Sequence, residues 1–118
     1  MNNLLYNYNL NENYSSYKII IADTDLNTFN EFAKIKEDFC FINLSSDFAV
    51  NFVLEYEKIN YLLISNRIGN LNNLINKAQK KNVKVFILGK DIEYPLNFEK
   101  IRNILISEIN DNLKSGNK

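Results

Sequence analysis

Residues 18–25 read Lys18-Ile19-Ile20-Ile21-Ala22-Asp23-Thr24-Asp25, an unbroken apolar run closed by acids. A strand with one wet face alternates apolar and polar residues, so a continuous run of this kind signals a strand covered on both faces, the habit of parallel sheets. Asp25 is then placed to cap a helix in which Leu26, Phe29, Phe32 and Ala33 recur at three- and four-residue spacing. The same unit returns downstream. Strands are expected at Phe39 to Leu44, Tyr61 to Ser65 and Val83 to Leu88. Ser45, Ser46 and Asp47 supply caps for a second helix ending near Lys58, Leu71, Leu74, Ile75 and Ala78 mark a third, and a last helix runs from about Phe98 to Leu113. Strands alternating with helices at this spacing predict an α/β fold of three layers, a parallel sheet with helices on both faces and right-handed crossovers.

The segment from Gly89 to Asn97 sets the strand count. A parallel strand needs a crossover of about a dozen residues, so this stretch cannot hold a helix and another full parallel strand. Either the sheet stops at four strands, or Ile92 to Leu96 adds a short fifth strand at the edge, where Pro95 is tolerated. The expected organisation is a loosely ordered leader over residues 1–16, one domain over 17–113 and a flexible tail over 114–118.

Composition narrows the function. The chain has 118 residues, 46% of them apolar and 24% charged, which is the balance of a single folded domain. Its 14 basic and 14 acidic residues cancel, so no global field draws it to nucleic acid or anionic lipid. Lys77, Lys80, Lys81 and Lys84 cluster, but three of them close the third helix, where cations favour the negative end of the dipole. The amino terminus lacks a signal-peptide pattern and no run reaches the ~18 apolar residues of a membrane span, so the cytoplasm is the expected compartment. The lone Cys40 has no disulfide partner in the chain and reads as a small buried thiol. With no histidine, Ser-His-Asp and Cys-His arrangements and His-ligated metals are excluded. Gly69, Gly89 and Gly116 are too few and too scattered for a Walker loop or a dinucleotide fingerprint. The pairs Glu55 and Glu57, and Glu37 and Asp38, read as solvated groups. No enzymatic activity, cofactor or metal is expected.

The run Ile19 to Asp25 resembles the first strand and acidic turn of response-regulator receiver domains, and Tyr61 to Asn66 resembles the third strand that carries their phosphorylated aspartate. Lys84 to Gly89 resembles the strand that ends in their hydroxyl residue, and Tyr94 to Phe98 the Lys-Pro turn before the last helix. The likeness covers residues 18–113 and implies a flavodoxin/receiver-like sheet of order 2-1-3-4. It also implies a site needing two acids for Mg²⁺, an aspartate nucleophile, a hydroxyl and a lysine. Asp23 matches the first acid, but Thr24 stands where its neighbour should be and Asp25 comes one place late. The nucleophile position falls on Asn66, or on Ser65 if the register slips by one; the hydroxyl position is Gly89; the lysine position is Tyr94 or Leu96. Asp23, Thr24, Asp25, Asn66 and Gly89 therefore outline a degenerate receiver site from which phosphotransfer is lost. Capping of a helix amino terminus accounts for Asp23 and Asp25, with residual metal binding as the alternative, and Asn66 suits a turn. Such pseudo-receivers occur in clock-related proteins and at the amino terminus of ATPases that position tight-adherence pili, where the resemblance implies docking or dimerisation.

Two helices are more apolar than one sheet face requires. In the second, Asp47, Asn51, Glu55 and Lys58 form a narrow polar stripe, while Phe48, Phe52, Val53, Leu54 and Tyr56 spread around the rest. The last helix carries Ile101, Ile104, Leu105, Ile106 and Ile109. The excess is covered by the leader or a neighbouring helix, or it meets a partner, for which Phe48, Phe52, Tyr56 and Ile106 are the candidate interface. The expected function is regulation through protein contacts. The expected partner is another protein or a covalently linked output domain, with self-association into a homodimer through an apolar helix, and neither nucleic acid nor membrane. The alternative is a flavodoxin-like domain that binds a small anion or nucleotide near Asp23, Ser65, Asn66 and Gly89.

Overall fold

Two apolar runs carry the sheet. In the computed structural model, which describes residues 14–116, β1 (Lys18–Ala22) pairs parallel with β3 (Tyr61–Ser65), from Ile19 against Tyr61 to Ala22 against Ile64. Ile19 to Ala22 and all of β3 are buried. β2 (Cys40–Leu44) pairs with the outer side of β1, and β4 (Lys84–Leu88) with the outer side of β3, both parallel. The order β2-β1-β3-β4 makes a flavodoxin-like α/β fold. The edge strands are less apolar because their outer flanks meet water: Asn43 and Lys84 are exposed. Cys40, expected to be buried, opens the edge strand β2 and is partly exposed.

Side chains alternate across a strand, so each run feeds two cores. Ile19, Ile21 and Leu63 face α1 (Asn27–Ala33) and α4 (Phe98–Gly116), packing with Phe32, Ile101, Leu105 and Ile109. Ile20, Ala22, Leu62 and Ile64 face α2 (Asp47–Tyr56) and α3 (Leu71–Lys80), packing with Val50, Leu54, Leu74 and Ala78. Helix starts follow side-chain chemistry. Ser46 Oγ accepts from the Ala49 N–H at the head of α2, and Asn97 Oδ1 accepts from the Glu99 and Lys100 N–H groups at the head of α4.

Several expectations shift. The inner face of α1 is Thr28 and Phe32, with Phe29 partly buried; Leu26 is exposed and Ala33 points outward. The helix turns this way because Thr28 is held from inside by Asp23. The helical backbone of α4 continues past Leu113 to Gly116. Its broad apolar face is used within the domain, since Ile104 and Ile106 pack against the core around Leu105. The sheet stops at four strands: after β4 the chain makes a single bridge between Leu88 and Ile92, and the Asp91 carboxylate accepts from the Ile87 N–H at 2.8 Å. A carboxylate over a free N–H blunts the edge where a further strand would add. Of the leader, residues 1–13 lie outside the described residues, and Tyr14 sets its ring 5.1 Å from Phe39. Residues 117–118 of the tail lie outside them too. Among the described residues no helix is long and apolar enough to cross a membrane.

Leu105, fully buried where α4 packs on the sheet, and Leu113, 47% exposed on the same helix, separate packing from propensity. Leu105→Ala is expected to cost about 2–5 kcal/mol and Leu113→Ala less than about 0.5 kcal/mol, read as shifts in urea midpoint at constant m-value.

Candidate functional site

Strand order places the site. The chain leaves β1 toward β2 and leaves β3 toward β4, so the crossovers diverge and a crevice opens between the carboxyl ends of β1 and β3, where ligands of open α/β sheets bind. Asp23 directly follows β1 and Ser65 ends β3. Period-two alternation turns both toward the α1 and α4 side, and both are fully buried.

A buried carboxylate is costly unless its lone pairs are filled. Asp23 has them filled from within the chain. Its Oδ1 accepts from the Asp25 N–H at 3.1 Å and from Arg67 Nε at 3.2 Å. Its Oδ2 accepts from Thr28 Oγ1 at 2.5 Å, Arg67 Nη2 at 2.8 Å and Tyr94 Oη at 3.0 Å. The guanidinium thus grips the carboxylate with two parallel bonds, the geometry that gives an arginine pair both strength and direction. The turn after β3 aims it: the Arg67 N–H donates to Ser65 Oγ at 3.0 Å and the Ile68 N–H to the Ser65 carbonyl. The Tyr94 ring lies under the guanidinium, 4.6 Å from its carbon to the ring centroid. Tyr94 has one proton to give, and with that proton on Asp23 its 3.0 Å contact to Ser65 Oγ has the serine as donor.

Burial alone would raise the Asp23 pKa. The bonds from Arg67, Thr28, the Asp25 backbone and Tyr94 outweigh it and hold the carboxyl at about 2, below its ordinary 3.8. Hydrogen bonding to Asp23 raises Arg67 further above its already high value. Burial pushes the Tyr94 hydroxyl up, and the Asp23 charge adds to that push.

The other expected site residues have different fates. Thr24 is exposed and outside the cluster. Asp25 turns its Oδ1 to the Asn27 N–H at 3.0 Å, an Asx turn at the entrance to α1. Asn66 is exposed, its backbone N–H bound to the Leu88 carbonyl and its amide lying beside Gly89. Gly89 has φ +98°, and a Cβ there would come within 2.8 Å of Asn66 Nδ2 and 3.0 Å of Tyr94 Cε2. Any side chain at this position would strain the backbone, and the Tyr94 ring and the Asn66 amide would have to shift to admit it. Arg67 and Thr28 were not singled out by pattern; the available signal was that Arg67 is one of two arginines and stands two places beyond a buried strand.

No family model, curated protein or solved structure matches the chain. The chemistry must come from the geometry. Among the described residues no three His, Cys, Asp or Glu side chains converge as a metal site. A hollow of about 440 Å³ lies over the cluster, lined by Asp25, Thr28, Glu31, Arg67, Tyr94 and Leu96 among others. A second, of about 790 Å³, lies at the amino ends of the strands, where Lys84 and Glu108 stand 4.0 Å apart.

The candidate interface divides. Phe48, Phe52 and Tyr56 are 75%, 54% and 70% exposed along α2, and the Phe52 and Tyr56 rings meet at 4.8 Å. Ile106 is partly buried in the core on the other side of the sheet, so these residues do not form one surface.

Two outcomes follow for the buried acid. Because its folded pKa lies below its unfolded one, Asp23 stabilises the fold above about pH 4 and loses that contribution, about 2 kcal/mol, as pH falls toward 2. Urea unfolding across this range should show that slope in the wild type and a flatter one in Asp23→Asn. Arg67→Met strands the buried charge and is expected to cost about 3 kcal/mol at neutral pH. Pairing it with Asp23→Asn should recover part of the loss, as a double-mutant cycle would read.

Proposed function

We propose that this chain is a degenerate receiver-like domain that signals through protein contacts, its phosphoryl-transfer site replaced by an internal ion pair. The observation that carries this reading is the occupancy of Asp23. Both carboxylate oxygens are filled by Arg67, Thr28, Tyr94 and the Asp25 N–H, so the acid that would hold Mg²⁺ has a guanidinium where the cation would sit. The position facing it carries Asn66, whose amide cannot form an acyl phosphate, and Gly89 offers no hydroxyl. A tyrosine occupies the lysine position and bonds the acid instead of a phosphoryl group. Each replacement supports the same reading, since each removes one group of the transfer machinery and the residues present satisfy one another.

The alternative, a small anion or nucleotide at this rim, has less support. Arg67 is the cation nearest the crevice and its fork is spent on Asp23, while Asp25 and Glu31 line the same hollow and oppose negative charge. Incubation with acetyl phosphate and Mg²⁺ is expected to leave the intact mass unchanged in the wild type and in Asn66→Asp, because restoring a nucleophile does not evict Arg67. A phosphoryl adduct on the wild type would overturn the reading. Calorimetric binding of inorganic phosphate that is lost in Arg67→Met would favour the anion alternative.

A further inference from the structure

We propose that the outer edge of β2 is a strand-docking site filled by the chain's own residues 4–10, which add antiparallel to it on the side of the sheet away from β4. This stands apart from the chemistry of the rim.

The two edges of the sheet are not alike. At β4 the Asp91 carboxylate accepts from the Ile87 N–H. At β2 no side chain does the same among the described residues. The Cys40 N–H donates to the Tyr17 carbonyl and the Leu44 carbonyl accepts from the Asp23 N–H, so the even-numbered positions of β2 bond to β1. Backbone groups alternate sides along a strand, which turns the N–H and C=O of Phe41 and Asn43 away from the sheet. The strand reads Cys-Phe-Ile-Asn-Leu, with no proline and no charge, and its register with β1 is unbroken by a bulge. It has none of the devices that keep an edge from pairing, and is a template for one more strand.

Residues 4–10 lie outside the described residues, and their sequence carries the matching signal. Leu4, Tyr6, Tyr8 and Leu10 alternate with Leu5, Asn7, Asn9 and Asn11, the period of a half-covered strand and a departure from the loose leader that composition suggests. A face exists to receive the apolar set. Phe41 is partly exposed, with its ring 5.7 Å from Phe32 and 5.6 Å from Phe39, and Tyr14 already lies 5.1 Å from Phe39. Tyr6 and Tyr8 would extend this aromatic row through cross-strand pairs with Phe41.

The path of the chain selects the direction and the occupant. Tyr14 and Tyr17 sit at the amino end of β2, where the chain turns into β1. The position outside β2 is two strand spacings, about 10 Å, from β1. Residues 11–17 reach up to about 23 Å, enough to join an antiparallel strand ending there. A parallel strand would end at the far side of the sheet and need about a dozen residues to return, more than this link has. A segment tethered by so short a link is present at the edge at an effective concentration on the order of millimolar, which favours it over a free peptide or a second copy at micromolar concentration.

Hydrogen exchange on the full chain at micromolar concentration tests the docking. The Phe41 and Asn43 amides should exchange as slowly as those of Ile42 and Leu44, and the double variant Tyr6→Asp, Tyr8→Asp should speed the first pair by about 10-fold or more while leaving the second unchanged. Cys40 supplies a second readout. By alternation it shares a face with Ile42 and Leu44, opposite to Phe41, and the asparagines of the docked strand share that face. Either Asn9→Cys or Asn11→Cys should close an intramolecular disulfide with Cys40 under mild oxidation, and Asn3→Cys, at the far end, should not. Four results would overturn the proposal: fast exchange at Phe41 and Asn43, protection indifferent to the double variant, protection that appears only as concentration rises and so places a second copy on the edge, or a disulfide formed as readily from Asn3→Cys.

Discussion

The pairing of Arg67 with Asp23 is the constraint around which the rim is arranged. A carboxylate with no exposed surface at the end of a central strand is stable as an anion only if nearby donors replace its water. Here one guanidinium, two hydroxyls and a backbone N–H do so. The consequences spread outward. Thr28 is drawn inward, and α1 is rotated so that Leu26 faces solvent. The turn after β3 is closed by Ser65 to present the arginine. Tyr94 must reach across the rim, which Gly89 allows by carrying no side chain and by taking a left-handed backbone.

The same arrangement constrains the residues around it. A side chain at position 89 would strain a backbone with φ +98° and press on Tyr94 and Asn66. A divalent cation at Asp23 would compete with Arg67 for both oxygens. The buried polar groups of the rim are satisfied by one another: Asp23 by Arg67, Thr28, Tyr94 and the Asp25 N–H, and Ser65 by Tyr94 and the Arg67 N–H. The exposed aromatics of α2 lie on the helix layer away from this rim.

The fold was legible because its decisive signals are local. Ile19 to Ala22 and Tyr61 to Ile64 are continuous apolar runs, and a continuous run has one economical placement, the middle of a doubly covered sheet. The count of strands was limited by the length of the segment after Gly89, and a side chain, Asp91, closes that edge. The site was legible only in outline. Asp23, Asn66 and Gly89 follow from their position at strand ends, but besides the local Asp25 N–H and Thr28, Asp23 is satisfied by Arg67 and Tyr94, 44 and 71 positions away. No periodicity encodes such pairings. The helix faces show the same limit: the apolar excess on α2 and α4 looked alike in sequence, yet the neighbours of α4 absorb Ile104 and Ile106 while the stripe of α2 stays exposed.

Carbon-detected NMR titration of the Asp23 side-chain carboxyl, run with and without millimolar Mg²⁺, addresses the closure of the rim at its centre. A carboxylate held by Arg67 should titrate near 2 and keep both its chemical shift and its midpoint when Mg²⁺ is added. A midpoint at or above the ordinary aspartate value, or a Mg²⁺-dependent shift confined to Asp23 and its neighbours, would mean that the guanidinium does not own the site.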